Sequence, residues 1–172
     1  MSKRQPRLFA PSKYLDAGAV ITADGLYRYE LHRRLGPGHR RVVFVGLNPS
    51  TATGTEDDPT IRREVDFTQR WGYDWYFKAN IYAYRSTDPN KLHVVTAPIG
   101  PENERWLYDL CAHADLIIAA WGSFKLNDDA KSLAGEVLKC PRTRCLRQTK
   151  PGAPPWHPLY LPKTSEPIQW QP

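Results

Sequence analysis

Residues 42–45 (VVFV) constrain the fold of this 172-residue chain more than any other segment. They are apolar at every position and lack the polar alternation of a half-exposed strand, which is typical of a strand covered on both faces. The segment runs into the sequence GLNPS, and asparagine and proline are poor residues for prolonging a buried strand. We therefore expect a parallel strand that ends close to Asn48, at the edge of a sheet.

The remainder of the chain alternates strand and helix candidates. Apolar, aromatic and β-branched runs predict three more strands, at residues 75–84, 115–122 and 143–149. Helical periodicity and end signals predict three helices, from Asp58 to Gly72, after Gly100-Pro101 and over residues 127–139. An antiparallel hairpin comes first, because residues 19–22 and 26–35 flank the turn sequence ADG.

This order predicts a single α/β domain over residues 1–172, with a doubly wound, mainly parallel sheet, helices on both faces and an N-terminal hairpin. Residues 1–17 form an N-terminal arm and residues 150–172 a proline-rich, extended tail. In open parallel sheets, ligands bind beyond the carboxyl ends of the strands. We expect the polar and aromatic residues found there to converge on one crevice: Asn48, Asn80, Trp121 and, from the tail, His157.

The charge balance is compatible with a polyanionic partner. The chain has 24 Lys and Arg against 18 Asp and Glu, with basic residues gathered towards both ends. A basic protein that is merely soluble fits the same numbers. The three cysteines show no CxxC spacing, which argues against a disulfide framework or a zinc site. The apolar runs are too short to cross a bilayer and no signal sequence is evident, so we expect a soluble, cytoplasmic protein.

The motifs GLNPSTA, DDPTIRR, RWGY, TDP, GPEN and WG together resemble an uncharacterised bacterial and phage family, domain of unknown function 1643. Five segments are in turn similar, in the same order, to the uracil-DNA glycosylase superfamily. They are VVFVGLNPS (the first motif, in the form of the mismatch-specific enzymes), WGYDWYFKANIYAYR, ADLIIAAWGSF, HPLYL and EPIQW. This resemblance implies a monomeric DNA glycosylase-like protein that flips a uracil-like or 5-modified pyrimidine out of DNA and excises it hydrolytically, with no metal or cofactor.

The resemblance assigns roles to four polar residues. Asn48 would hold the attacking water, and His157 would donate a hydrogen bond to the base oxygen as a neutral imidazole. Asn80 would pair with the pyrimidine edge through both ends of its amide. Ser50 stands where the uracil-specific enzymes carry a tyrosine that excludes a 5-methyl group, so larger bases become admissible.

The resemblance also suggests DNA contacts. Phe67 or Trp71 would stack on the flipped base, although both lie further along the chain than the family spacing. The HPLYL loop would insert an apolar wedge into the duplex, formed by Leu159, Tyr160 and Leu161. Arg144 and Arg147 would contact phosphates.

Other interpretations of the same residues stay open. Asn48 also fits a turn or a helix cap. Asn80 also fits a residue at a strand end whose amide bonds to backbone groups, and the HPLYL segment also fits a tail that simply packs on the protein. The sequence TEDDPTIRR places Asp57, Asp58, Arg62 and Arg63 at a helix start, where they form a cap or a site for Mg²⁺ and phosphate. The alternative functions are a non-catalytic nucleic-acid binding module and a metal-dependent nucleotide phosphohydrolase or transferase.

Overall fold

A computed structural model describes residues 13–172; most of the predicted arm, including the basic sequence KRQPR, lies outside the described residues. The described chain forms one seven-stranded sheet in the order β1-β2-β4-β3-β5-β6-β7. The strands are β1 Asp16–Ile21, β2 Arg28–Arg34, β3 Arg41–Gly46, β4 Trp75–Asn80, β5 Leu116–Ala119, β6 Thr143–Cys145 and β7 Ile168–Gln169.

The centre of the sheet is parallel and its edges are antiparallel. β3 pairs in parallel with both β4 and β5, and β5 pairs in parallel with β6. The predicted hairpin is β1 and β2, and it joins the sheet through antiparallel pairing of β2 with β4. The predicted α/β fold with a parallel centre and an N-terminal hairpin is therefore confirmed, and the antiparallel edges make the whole sheet mixed.

Three helices cover the sheet, one on one face and two on the other. They are α1 Pro59–Arg70, α2 Asn103–Ala112 and α3 Asp128–Val137. α1 contributes Ile61 and Val65 to one core cluster, whereas α2 and α3 contribute Leu107 and Leu133 to the other. Within residues 13–172, no helix is both long and apolar enough to cross a bilayer.

Several strand boundaries differ from the sequence prediction: β1 begins at Asp16, inside the predicted arm, β5 ends at Ala119 rather than at residue 122, and β6 ends at Cys145 rather than at residue 149. β4 ends at Asn80 rather than at residue 84, because the adjacent backbone N–H groups of Ile81 and Tyr82 both donate to the β3 side, to Gly46 and Leu47. Donors in a regular parallel ladder alternate between the two sides, so this pattern breaks the strand. The tail is not extended throughout, because a short 3₁₀ helix spans Pro158–Tyr160, whereas residues 168–169 are extended and form β7, which pairs with β6.

Candidate functional site

A polar cavity of about 310 Å³ opens at the carboxyl edge of the parallel strands. Its walls come from the ends of β3, β4 and β5, the start of α1 and the tail segment that follows β6. It brings together residues that the sequence placed at this edge: Asn48, Ser50, Asn80, Trp121, His157, Leu159 and Tyr160. It also contains two cationic side chains that sequence reasoning did not single out, Arg28 and Lys78.

Asn48 is held with its amide in one orientation. Its Nδ2 donates to the backbone oxygens of Pro49 at 3.0 Å and Ser86 at 2.8 Å. Both amide hydrogens are thus used, and Oδ1 accepts no hydrogen bond from residues 13–172. Asn48 does not cap a helix, because α1 begins at Pro59 and is capped by Asp58. The group that Asn48 offers to a ligand is therefore a fixed hydrogen-bond acceptor.

Asn80 is the last residue of β4 and is almost fully buried, with 1% of its surface exposed. Neither Nδ2 nor Oδ1 has a hydrogen-bond partner among residues 13–172. An unpaired buried amide costs about 1–3 kcal/mol, so a side chain of this kind in a cavity is a strong indication of a ligand site. Its donor and acceptor match one edge of a pyrimidine.

Gly46 leaves space for the side chains beside it on β4. It lies opposite Asn80 in the parallel register. A Cβ at this position would lie 2.5 Å from Nζ of Lys78 and 3.0 Å from Oδ1 of Asn80. The glycine of the GLNPS motif is therefore needed for the floor of the cavity.

His157 has a defined tautomer. Its Nδ1 accepts a hydrogen bond of 3.3 Å from the backbone N–H of Leu159, so the neutral ring carries its hydrogen on Nε2. Burial, aided by the charge of Lys78, lowers the pKa of His157 to about 4. At neutral pH the side chain is consequently an uncharged donor through Nε2.

A turn at Gly122, just after β5, packs against the segment that carries His157. Gly122 has φ +77° and donates a backbone hydrogen bond of 3.0 Å to Pro155. A Cβ on Gly122 would approach Cβ of His157 to 3.3 Å. The glycine after Trp121 is thus required both by its backbone conformation and by its contact with the histidine segment.

Lys78 lies on the cavity floor and belongs to a buried polar network. Its Nζ is 2.7 Å from Oε1 of Glu64 on α1, and the Tyr76 hydroxyl donates to Oε2 of the same carboxylate at 2.6 Å. Burial raises the pKa of Glu64, while Lys78 and Tyr76 oppose the shift by stabilising the carboxylate. A sequence signal for Lys78 existed: it precedes Asn80 by two residues and therefore shares its face of the strand.

A β-bulge turns Arg28 into the cavity. Successive β1 residues Val20 and Ile21 pair with Glu30 and Arg28, so Tyr29 is the extra residue on β2. The bulge reverses the alternation of β2, and the side chain of Arg28, which is 2% exposed, bonds to the backbone oxygen of Ala52 at 2.9 Å. Burial lowers its pKa to about 10. Strand alternation alone would have placed this side chain on the opposite face.

The predicted stacking residues are not in the cavity. Phe67 is 1% exposed and belongs to the core between α1 and the sheet. Trp71 packs against that core and stacks on Phe67 and Phe44, with ring centres 5.3 and 5.9 Å apart. The prediction that either ring stacks on a bound base is wrong, because the apolar face of α1 turns them towards the sheet.

The predicted wedge residues have different surroundings. Leu161 is 4% exposed and packs in the α1-side core, which corrects its assignment to a DNA wedge. Leu159 lines the cavity. Tyr160 is 77% exposed, and its ring centre lies 5.6 Å from that of His157. Of the three, only Tyr160 stands at the surface as an insertion residue would.

The acidic cluster before α1 has structural partners. Asp57 accepts from the buried Arg33 at 2.8 and 2.9 Å, and also from the hydroxyl of Tyr14. Asp58 is the N-cap of α1 and accepts from the N–H of Ile61 at 2.9 Å. Arg62 donates to the backbone oxygen of Asp57 at 2.6 Å, whereas Nη1 of Arg63 is buried without a partner in the described chain. These partners favour a structural role for the cluster over a site for Mg²⁺ and phosphate.

The two arginines predicted to contact phosphate differ in availability. Arg144 donates to the backbone oxygens of Pro141 and Thr143 at 2.7 and 2.8 Å. Arg147 is exposed, and its guanidinium lies 4.3 Å from the ring centre of Trp156. Trp156 lines an apolar cleft of about 700 Å³ that shares Leu47, Pro89, Trp121, His157 and Tyr160 with the polar cavity. Arg147 therefore lies beside a continuous cleft and cavity.

Comparison with known families gives one match. A family model described as "Protein of unknown function (DUF1643)" matches residues 28–159, which include every strand from β2 to β6 and all three helices. Searches of curated proteins and of solved structures found no match. The matched region covers most of the chain and contains every cavity residue described above except Tyr160, and the chain therefore belongs to the DUF1643 family.

Proposed function

We propose that the protein is a DNA glycosylase-like hydrolase that flips a uracil-like or 5-modified pyrimidine out of DNA and cleaves its N-glycosidic bond. The observation that carries the proposal is the meeting of three complementary groups in one cavity. They are the Oδ1 acceptor of Asn48, the unpaired amide of Asn80 and the Nε2 donor of His157. The ordered similarity of five sequence segments to the uracil-DNA glycosylase superfamily supports the same conclusion.

The reaction needs few protein groups. As the bond between C1′ of the sugar and N1 of the base breaks, positive charge develops on the sugar and the electron pair stays with the base. Oδ1 of Asn48 would accept a hydrogen bond from the water whose oxygen bonds to C1′. An amide is a weak base, but positioning suffices for a dissociative step, and the displaced proton passes to solvent or to the departing base.

His157 and Asn80 would recognise and stabilise the base. A neutral imidazole at Nε2 can donate to the base O2, where negative charge grows as the bond breaks. The amide of Asn80 can accept from N3–H and donate to O4 of a uracil-like ring. Both side chains are pre-oriented by the fold, Asn80 through burial in β4 and His157 through its hydrogen bond from Leu159.

DNA capture would involve the surface next to the cavity. Tyr160 is exposed beside His157, where it could fill the space left by an extruded base. Arg147 lies at the neighbouring cleft and is available for a phosphate. The phosphohydrolase alternative has less support, because Asp57 is bonded to Arg33 and Asp58 caps α1.

The proposal is tested with oligonucleotides that carry uracil, 5-hydroxymethyluracil or mismatched thymine. The protein is incubated with each one, and alkali then converts abasic sites into strand breaks. We expect breaks at the modified or mismatched position, unchanged by EDTA. Oligonucleotide binding with no breaks on any substrate would instead identify a non-catalytic binding module, and an activity abolished by EDTA would favour the phosphohydrolase.

A further inference from the structure

Arg28 is a buried charge that the proposed reaction does not use. It is 2% exposed, and no carboxylate of residues 13–172 lies within 4.0 Å of its guanidinium. Its one hydrogen bond within the described chain goes from Nη1 to the backbone oxygen of Ala52, and its Nε is buried without a partner. Burying an ion without a counter-ion is costly unless another group compensates it, so Arg28 indicates a missing acceptor.

Two carboxylates act on Arg28 electrostatically, those of Asp58, which also lines the cavity, and Glu64, and three of their four oxygens hold hydrogen bonds within the described chain. Oδ1 of Asp58 caps α1, and both oxygens of Glu64 are bonded, one to Lys78 and one to Tyr76. They attract Arg28 through space without forming an ion pair with it. The compensating group for Arg28 would therefore come from the ligand.

Lys78 strengthens the cationic character of the same part of the cavity. Its side chain is 5% exposed and makes one hydrogen bond, to Glu64. An ammonium group has three donors, so Lys78 keeps donor capacity for a second acceptor. The guanidinium and the ammonium both line the cavity that holds Asn80.

The strand order places these cations relative to a bound base. Arg28 comes from β2, Lys78 and Asn80 from β4, and Asn48 follows β3, while His157 lies against Gly122 beyond β5. Arg28 is therefore on the far side of Asn80 from His157. Around a pyrimidine ring the order is O2, N3, O4 and then C5. If His157 binds O2 and Asn80 binds N3 and O4, the next ring position faces Arg28, while Lys78 lies on the cavity floor beside Gly46.

We infer that Arg28 and Lys78 form a subsite for a carboxylate carried on C5 of the flipped pyrimidine. This inference rests on the proposed function and narrows its substrate class from 5-modified pyrimidines to those with an anionic substituent. Ser50, a small residue in the cavity wall, leaves space for such a group. Uracil itself would leave the Nε donor of Arg28 unpaired, whereas a carboxylate would accept from it.

Free bases test the subsite without any substitution. Calorimetry at pH 7 compares 5-carboxyuracil, its neutral isostere 5-carbamoyluracil and uracil. We expect 5-carboxyuracil to bind about tenfold or more tightly than 5-carbamoyluracil, because charge-assisted hydrogen bonds are roughly twice as strong as neutral ones. Equal affinity for the charged and the neutral isostere would overturn the inference.

Orthophosphate is the control for the alternative that the two cations bind a nucleotide phosphate instead of a carboxylate on C5. Phosphate that binds as tightly as 5-carboxyuracil, and competes with it, would assign the cations to a nucleotide phosphate and overturn the assignment to C5. We expect orthophosphate at the same concentration to leave the binding of 5-carboxyuracil unchanged.

Two arginine variants test whether Arg28 causes the preference for 5-carboxyuracil over 5-carbamoyluracil. Arg28→Gln should reduce the preference for the charged isostere to about threefold or less. Arg34→Gln should retain it, because Arg34 donates to the backbone oxygens of Gly36 and Pro37 at the opposite end of the sheet. An unchanged preference in folded Arg28→Gln would contradict the inference, and if that variant does not fold, the isostere comparison in the wild type decides.

The outcomes separate this inference from the proposed function. A protein that cleaves uracil oligonucleotides but binds both isosteres equally retains the proposed function and loses the carboxylate subsite. A protein that prefers 5-carboxyuracil but forms no abasic site on any oligonucleotide, including one that contains 5-carboxyuracil, has the subsite without the hydrolase activity.

Discussion

The backbone N–H of Leu159 donates to Nδ1 of His157 at 3.3 Å, and this bond decides which ring nitrogen faces the cavity as a donor. The donor residue lies two positions along the same segment and itself lines the cavity. The orientation of the histidine is thus set by a local turn, the 3₁₀ helix that begins at Pro158. A function that needs a neutral Nε2 donor would depend on this turn as much as on the imidazole.

The depressed pKa of His157 makes stability depend on pH. The folded-state pKa is about 4 against an ordinary value of 6.5, so the unfolded chain binds more protons between these values. The contribution of His157 to the free energy of unfolding is therefore fully present above about pH 6.5. It falls as the pH decreases towards 4, by up to about 3 kcal/mol. Urea denaturation at several pH values measures this loss.

Two variants isolate the contribution of His157. His157→Asn should show a smaller loss of stability between pH 6.5 and 4 than the wild type, because the buried titrating group is gone. His39→Asn, a change on the exposed surface, should behave like the wild type. Identical pH dependence in wild type and His157→Asn would show that His157 titrates normally in the folded protein.

Gly46 and Gly135 provide a matched pair of glycine substitutions. Gly46→Ala places a methyl group within 2.5 Å of Nζ of Lys78 and 3.0 Å of Oδ1 of Asn80. We expect it to displace both side chains, lower stability by about 1–3 kcal/mol through overpacking and abolish ligand binding in the cavity. Gly135→Ala, in α3 where the new Cβ would meet no described atom within 4 Å beyond its chain neighbours and the backbone of its own helix, should raise stability by about 1 kcal/mol or less.

Urea denaturation and calorimetry with a pyrimidine base measure the two effects separately. Wild-type binding in a stable Gly46→Ala protein would show that the positions of Lys78 and Asn80 do not matter to the ligand.

The general location of the site was predictable, whereas the presence of Arg28 in it was not. Asn48 and Asn80 interrupt apolar or aromatic runs, and a polar residue at the carboxyl end of a parallel strand marks the ligand edge. Arg28 was missed because its direction depends on a bulge between β1 and β2. A bulge arises from the pairing of two strands, so the alternation of residues in one strand does not reveal it.

The errors at Phe67, Trp71 and Leu161 have a common cause. The segment after His157 packs on α1, and Leu161 joins the same core as Phe67. This contact links parts of the chain about ninety residues apart, and helical periodicity shows only that a face is apolar, not what covers it. Sequence similarity transferred a stacking role to aromatic rings that the fold uses for packing.

Tyr160 and Leu161 are adjacent residues, but we expect substitution of Tyr160 to affect DNA binding and substitution of Leu161 to affect stability. Tyr160→Ala should leave stability within about 0.5 kcal/mol of wild type, because the side chain is 77% exposed. It should weaken DNA binding and base capture, with partial recovery on mismatched substrates, whose bases cost less to unpair. Leu161→Ala should lower stability by about 2–5 kcal/mol, because a buried leucine leaves a cavity.

Titration of labelled duplexes and urea denaturation measure the two properties. The assignment of Tyr160 to DNA would be wrong if Tyr160→Ala bound matched and mismatched duplexes like the wild type. A stable Leu161→Ala with reduced DNA binding would return Leu161 to the DNA surface.

Substitution of Asn48 distinguishes DNA binding from base excision most directly. Asn48→Ala removes the Oδ1 acceptor and should reduce base excision by about 100-fold or more, the range for losing one positioned group in a transition state, while DNA binding stays close to wild type. It also removes two hydrogen bonds, to Pro49 and Ser86, and should lower stability by about 1–3 kcal/mol. Single-turnover excision, with each variant's folded fraction measured, gives the comparison.

Asn48→Asp tests the orientation of the amide. A carboxylate is a better base than an amide, but its second oxygen would face the backbone oxygens of Pro49 and Ser86, which now accept from Nδ2. Three acceptors without a donor repel one another, so we expect this variant to be less stable than the wild type and no faster in excision at pH 7. Lowering the pH should recover part of the stability as the carboxyl group becomes protonated and donates. Excision by Asn48→Asp that is faster than wild type would show that the side chain is free to rotate and that the two backbone carbonyls do not fix it.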